Sequence, residues 1–584
     1  MASSQRHTDA ISASRGVCCT FILESLIEPL LIGLVVGLAA AVFGLLFSYY
    51  EEIGAAIRVL LGDYWLFTSI ALFSVVGLAL VKLYGWYEGS STNKFLEYYH
   101  FDGGRIPGIA ALVLVVGSLI TVAAGGSVGP EGPTLILGGY IGYIMARKLL
   151  NKPAYEAKEH VLIGAGAAVA AVFKAPLTAM TFVLEVLYRR DLETGVFLET
   201  LVATVTAYLV SVALTGPAGI MAVRFGGSPI PTLEDIIAGL VAGLAASIVA
   251  RIMVESKHLL SKLSREIVKV SKLAGPLLLT SIIWLASRRH PFVLGGGEHI
   301  AVEALHNELE LAHTEALWAS VEKAVLTTAS LTLGGTGGIF LPLVTIGSLL
   351  GYGLSGLLPE ASLNVLILAS IAGVFAGTNS VVISAVLFGV EVLGGHAFIP
   401  SALAATLAYL LSMGTSIHSN QLPRREVAKK LALASLLHRL VEHHELRKRL
   451  ETLSVLEAAN KNPIKFTAEM SVGDALRIAA EKSHIAYPVV DTNGILLGYV
   501  ELEDMIAVDP TTKLRELVRP APVISPDASI LQASLAMIRR DVDRLFVCDK
   551  TGYLLGILTK TDLLRTLMQI YEEVLEQEFE EVFE

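Results

Sequence analysis

Gly125-Gly-Ser-Val-Gly-Pro-Glu131-Gly-Pro133-Thr-Leu-Ile-Leu-Gly138-Gly-Tyr-Ile-Gly142 is a glycine-rich loop that runs straight into an apolar helix. Glycines let a backbone approach a small ligand closely, and Pro133 suits the first helical turn. Glu131 stands between apolar segments, where a carboxylate is costly and functional by default. The plainer alternative is a loop at a membrane face, with Glu131 merely capping the helix that follows.

The stretch has a distant copy. Pro342-Leu-Val-Thr-Ile-Gly347-Ser-Leu-Leu-Gly351 repeats the proline and both glycines at an offset of 209 (342 − 133). Phe182-Val-Leu-Glu185-Val likewise returns as Phe388-Gly-Val-Glu391-Val at an offset of 206 (391 − 185). At such weak identity, chance is the competing explanation. A long-period repeat in a membrane chain places a binding site at the interface of its two halves. The expected fold class is an α-helical polytopic membrane protein with inverted-topology repeats, followed by a C-terminal α/β module.

Composition agrees with two solvents. The 584 residues are 53% hydrophobic and 17% charged, and the mean hydropathy is +0.63, too apolar for an ordinary soluble enzyme. Apolar runs include 26–50, 64–86, 109–124, 161–187, 201–214 and 236–254, then a near-continuous stretch over 324–413. Several fall short of the roughly 20 residues that cross a bilayer upright. Short, glycine-broken segments are expected where helices end inside the membrane and line a protein-buried site. The polar N-terminus reads as a cytoplasmic tail over 1–22, without a signal-peptide cleavage pattern. Cys18, Cys19 and Cys548 form neither a disulfide framework nor a zinc pattern. With a net charge of −10 and no basic footprint, nucleic acid is not an expected partner.

After the membrane region (23–422), residues 423–461 are rich in Arg, Lys, His and Leu and read as a helical linker on the cytoplasmic face of a cell membrane. Beyond it a second repeat appears at an offset of 58: Val490-Asp491-Thr-Asn-Gly494-Ile-Leu-Leu-Gly498 against Cys548-Asp549-Lys-Thr-Gly552-Tyr-Leu-Leu-Gly556. Each copy reads as strand, tight turn, strand and acidic helix start. The module is expected over 462–572, with an acidic tail over 573–584.

The membrane half points to anions. Conduction requires binding weak enough to release, and a helix N-terminus, with unpaired N–H groups and about half a positive charge, suits this better than a full cation. Three loops qualify: the Glu131 loop; Gly334-Gly-Thr-Gly-Gly338-Ile339-Phe340-Leu341-Pro342, its repeat partner; and Glu88-Gly89-Ser90-Ser91-Thr92-Asn93. Close helix packing explains the second equally simply, and ordinary N-capping the third.

Together these loops resemble the CLC chloride channel and transporter family across most of residues 25–420. The resemblance implies that Glu131 is the gating glutamate, Ser90 the anion-coordinating serine, and Ile339 and Phe340 donors of backbone N–H groups. Ser90 precedes Glu131 by 41 positions (131 − 90), whereas Gly103-Gly-Arg-Ile-Pro107 stands too near it. Two departures matter. The family's inner proton-handling glutamate aligns with Val186, which cannot relay a proton, and Glu185 beside it is expected to be structural. The family's anion-coordinating tyrosine aligns with His418 in Ser416-Ile417-His418. An imidazole N–H can donate to an anion and titrates near neutral pH; the equal alternative is that His418 lies just outside the site. The resemblance implies a homodimer in the lipid bilayer, and Val186 inclines the reading to a gated chloride channel, with a chloride/proton antiporter as the alternative.

The polar repeat resembles a tandem CBS pair, which implies an adenine nucleotide such as ATP as a possible regulatory ligand, with no cofactor required. Gly556-Ile-Leu-Thr559-Lys-Thr-Asp562 matches the ribose-binding pattern, so Thr559 and Asp562 are the candidates, unless Asp562 is simply a helix cap. Gly498-Tyr-Val-Glu501-Leu-Glu-Asp504 carries Glu501 where a hydroxyl is expected. A membrane enzyme is disfavoured, since His443-His444-Glu445 lacks the second histidine of a zinc site. A cation transporter would need more acidic residues within the spans than Glu131, Glu185 and Glu391.

Overall fold

The computed structural model describes residues 23–216, 230–393, 395–412, 414–425, 437, 444–480 and 484–570. The expected N-terminal tail (1–22), the acidic tail (573–584) and residues 426–436 and 438–443 of the expected linker lie outside the described residues. Two compact units divide between Ala428 and Lys429.

The first unit is helical: α1 (Glu28–Leu61), α2 (Trp65–Tyr84), α3 (Ser91–Phe101), α4 (Gly108–Ala123), α5 (Glu131–Ile144), α6 (Ala154–Phe173), α7 (Pro176–Glu185) and α8 (Phe197–Thr215) precede α9 (Leu233–Val270), α10 (Ala274–Arg289), α11 (Glu298–Leu305), α12 (His313–Thr332), α13 (Phe340–Ser355), α14 (Leu363–Asn379), α15 (Val382–Leu393) and α16 (Phe398–Leu411). On α1, Ile32, Val36, Ala40, Phe43 and Phe47 are buried, while Leu30, Leu34, Leu38, Val42 and Leu45 are exposed on the other side. By length and composition α1 lies in a segment apolar enough to cross a membrane. Helices such as α4, at 16 residues, reach about 24 Å, less than the roughly 30 Å hydrocarbon core.

Both apolar stretches read as long spans are broken. The run over 161–187 divides where Lys174 takes a left-handed conformation (φ 55°) and Pro176 starts α7. In the second half Ser380 does the same (φ 59°) before α15 starts at Val382. Both break and restart recur at the 206 offset (380 − 174, 382 − 176). Glycines set the crossings: a Cβ on Gly138 would run into the backbone of Gly164 on α6, and one on Gly347, 209 positions later, into that of Ile371 on α14. Small residues at these crossings allow backbones to touch, the means by which membrane helices associate.

The second unit holds two sheets of one pattern. After α17 (His444–Thr452) and α18 (Val455–Ala458) come β1 (Phe466–Thr467), α19 (Val472–Ala480), β2 (Ala486–Val490), β3 (Leu496–Glu501) and α20 (Leu502–Ile506). The second copy has β4 (Val523–Ile524), α21 (Ile530–Arg540), β5 (Arg544–Cys548), β6 (Leu554–Thr559) and a helix α22 over 560–570. In each sheet a short strand pairs in parallel with the middle strand, which pairs antiparallel with the third. Phe466↔Val489 and Ile524↔Val547 are the same register 58 residues apart. The copies meet at their turns, where Leu496 N–H donates to Gly552 O (2.9 Å) and Leu554 N–H to Gly494 O (3.1 Å).

Candidate functional site

The three glycine-bearing loops converge. Gly129 and Gly338, which are 209 positions apart, exchange backbone hydrogen bonds at 2.9 and 2.8 Å. Ser91 N–H donates to Gly337 O (3.1 Å), Gly337 N–H to Gly89 O (3.0 Å), and the Thr336 hydroxyl also reaches Gly89 O (2.8 Å). The N-termini of α3, α5 and α13 are thereby drawn to one place in the protein interior, and their positive ends favour an anion there.

Glu131 occupies this junction. It is 1% exposed. Its Oε1 accepts from the backbone N–H of Phe340, and its Oε2 has no hydrogen-bond partner. A Cβ at Gly338 would overlap Oε1, and one at Gly129 would overlap Oε2, so glycine at both positions makes room for the carboxylate. Phe340 is also the repeat mate of Glu131 (340 − 131 = 209): the carboxylate of one half sits on the helix start of the other. Apolar walls complete the surroundings, with the Phe340 ring against Phe173, Phe375 and Phe388 at centroid distances of 4.6, 4.7 and 5.1 Å. Ile339 is the residue just before α13.

Ser90 is buried at the start of α3 and its Oγ accepts a long hydrogen bond from Asn93 N–H (3.4 Å). His418 is delivered to the same neighbourhood by the segment after α16. Asn93 Oδ1 accepts from the Ser419 hydroxyl (3.3 Å) and Asn420 N–H (3.0 Å), tying the residues next to His418 onto the helix that Ser90 opens. His418 is 1% exposed; Nε2 lies 2.8 Å from Asn379 Oδ1 and Nδ1 has no partner. Val186 is buried, and Glu185 caps α15, accepting from Ile383 N–H (3.0 Å), Ser384 N–H (2.9 Å) and the Ser384 hydroxyl (2.7 Å). Its expected structural role is what these bonds describe.

Two charged residues beside Ser90 and His418 were not singled out from the sequence. Lys257, 5% exposed on α9, donates to the carbonyl of Ile417, the residue before His418, at 2.8 Å. Glu88, also buried, opens the loop that runs through Gly89, Ser90, Ser91 and Thr92. Nothing local marks Lys257, since it sits where α9 turns from apolar to charged and reads as a helix end. A further cavity of about 230 Å³ reaches Pro130 and Leu341, the chain neighbours of Glu131 and Phe340, and is lined by Glu51, Lys174 and Glu298 among others.

In the second unit, Thr559 and Asp562 are adjacent but engaged with each other. Asp562 Oδ2 accepts from the Thr559 hydroxyl (2.6 Å) and N–H (3.0 Å), and Thr559 Oγ1 accepts from Asp562 N–H (3.2 Å). This is a reciprocal helix cap. In the first copy Arg519 bridges Glu501 (2.7 Å) and Asp504 (2.6 Å). Among the described residues no group of acidic, histidine or cysteine side chains forms a metal site.

Comparison with known proteins gives the family. The voltage gated chloride channel model matches residues 72–413, and CBS domain models match 455–511 and 514–569. A chloride/fluoride channel protein of Pseudomonas syringae pv. tomato is 24% identical over 351 residues, 59% of this chain and 76% of that protein. The H(+)/Cl(-) exchange transporter ClcA of Klebsiella pneumoniae is 26% identical over 348 residues, 55% of this chain and 71% of that protein. The solved structure of a slow cyanobacterial Cl-/H+ antiporter superposes with a TM-score of 0.58 at 20% identity, over 68% of this chain and 96% of that one. With the model matching more than half of its length, this chain belongs to the voltage gated chloride channel (CLC) family of membrane proteins and carries two CBS domains after its membrane helices.

Proposed function

We propose that the protein is a chloride/proton antiporter. The observation that carries the reading is the Glu131 carboxylate seated on the N–H of Phe340 at the start of α13. An ionised carboxylate there stands in the place of an anion. Protonation removes its charge, and chloride takes over the N–H it releases; the departing carboxylic acid carries the proton. One group therefore alternates between anion and proton, which is what exchange requires. Ser90 and His418 are proposed to hold the anion on the α3 side, Ile339 and Phe340 from the α13 side, and the cavity at Glu51 and Glu298 to admit solvent to Glu131. The exchange transporters among the relatives support this reading over the gated channel that Val186 alone favours.

A homodimer, cytoplasmic termini and regulation by an adenine nucleotide at Thr559 and Asp562 belong to the same proposal. A hydroxyl and a carboxylate side by side suit the hydroxyls of a ribose, provided that the cap they form opens, whereas Arg519 holds the equivalent acids of the first copy. The deciding experiment reconstitutes the purified chain in liposomes and follows chloride efflux and proton movement together. A chloride gradient that drives protons uphill establishes exchange. Passive chloride flux without uphill protons establishes a channel, and flux of fluoride alone would reassign the anion.

A further inference from the structure

His418 differs from a hydroxyl ligand in one respect that its hydrogen bonds decide. Asn379 Nδ2 donates to Phe375 O at 3.2 Å, which turns Oδ1 toward His418, 2.8 Å from Nε2. An amide oxygen only accepts, so Nε2 carries the hydrogen. In the neutral ring Nδ1 then presents a lone pair, buried and without a partner. A lone pair repels an anion; the same nitrogen attracts one only after gaining a proton.

The charges around it close the account. Lys257 reaches the carbonyl of Ile417 from α9, and Glu88 is buried in the loop before α3. Farther along α3, Lys94 and Glu97 pair with each other at 3.0 Å, and the Tyr188 hydroxyl, after α7, is turned to Glu193 (3.3 Å). Among the described residues none of these carboxylates is ion-paired with His418, so a charge on its ring would stand near that of Lys257 without a direct counter-ion. Chloride supplies the missing negative charge.

We propose that His418 binds chloride as the imidazolium, so that each chloride entering the site beside Ser90 brings one proton onto Nδ1. The inference rests on the anion-transport reading and adds to it a second titrating group, distinct from Glu131 and on the path where Val186 cannot serve. By linkage, proton and chloride then strengthen each other's binding by equal factors.

The test is calorimetric titration of chloride into the purified full-length Glu131→Gln protein, in buffers of different ionisation heat, so that Glu131 contributes no proton. The expected result near neutral pH is about one proton taken up per chloride, with affinity falling roughly tenfold per pH unit. In Glu131→Gln with His418→Tyr, a hydroxyl replaces the titrating donor, and chloride should bind without proton uptake and without pH dependence. Binding to Glu131→Gln with no proton uptake overturns the proposal whether or not the tyrosine variant folds, and so does uptake that survives the tyrosine. Absence of chloride binding by the wild type at every pH would instead refute the anion-transport reading on which the proposal stands.

Discussion

Glu185 caps the helix that carries Glu391, and Glu391 caps the helix that carries Glu185. The first accepts from Ile383 and Ser384 N–H at 3.0 and 2.9 Å; the second accepts from Leu177 and Thr178 N–H, both at 2.9 Å. Donors and acceptors all recur at the 206 offset (383 − 177, 391 − 185), so α7 and α15 lie antiparallel about a local two-fold. Glu185→Ala leaves the N–H groups of Ile383 and Ser384 and the Ser384 hydroxyl without this partner, at about 1–3 kcal/mol for each buried group left unpaired. The expected outcome is a lowered melting temperature in detergent, with the proton-to-chloride ratio of the surviving protein unchanged. A changed ratio would give Glu185 a transport role.

The seat of Glu131 can be emptied without touching Glu131. A methyl group at Gly129 would meet the end of the Glu131 side chain and the Cβ of Leu341 (3.0 Å); the flexible side chain gives way. Gly129→Ala should therefore raise chloride flux at high pH toward that of Glu131→Gln, which cannot ionise. Liposome efflux measured across pH reads both. A Gly129→Ala protein with wild-type flux and pH dependence would mean that the carboxylate is not the barrier.

The same crossing holds each half together, so its loss should be symmetric. Gly138 meets the backbone of Gly164, and Gly347 that of Ile371. Backbone on one side and backbone on the other leave no side chain to move aside, so Gly138→Leu and Gly347→Leu should each cost more than the roughly 1–3 kcal/mol typical of overpacking. Yield and detergent melting report it, and a tolerated leucine at either position would show that the helices separate more readily than their contact implies.

Most of this was legible from local chemistry, and the exceptions have physical causes. The pairs at the 206 and 209 offsets were visible because glycine, proline and glutamate are the residues that crossings, helix starts and caps demand. The break at Lys174 was not, because lysine gives no sign that it will adopt a left-handed conformation, and the apolar run continues past it; Ser380 hides the second break in the same way. The docking of Ser419 and Asn420 onto Asn93 joins residues 326 and 327 positions apart, beyond any pattern in the chain. Lys257 is ordinary until that docking places a carbonyl in front of it.

Asp562 serves two hypotheses that one variant separates. As a cap, its loss should cost about 1 kcal/mol of module stability. As a ribose ligand, its loss should abolish adenine-nucleotide binding. Thr559→Ser keeps the hydroxyl and should retain both properties, while Asp562→Asn keeps an oxygen acceptor for the cap and removes the charge. Calorimetric titration of ATP into the full-length chain, paired with thermal melting of each variant, decides between them. If Asp562→Ala melts earlier but binds ATP as the wild type does, Asp562 is a cap alone and the nucleotide, if it regulates transport, sits elsewhere. If no variant and no wild-type protein binds an adenine nucleotide, the mutual bonds of Thr559 and Asp562 are the whole purpose of the motif, and Arg519 on Glu501 and Asp504 is its counterpart in the first copy.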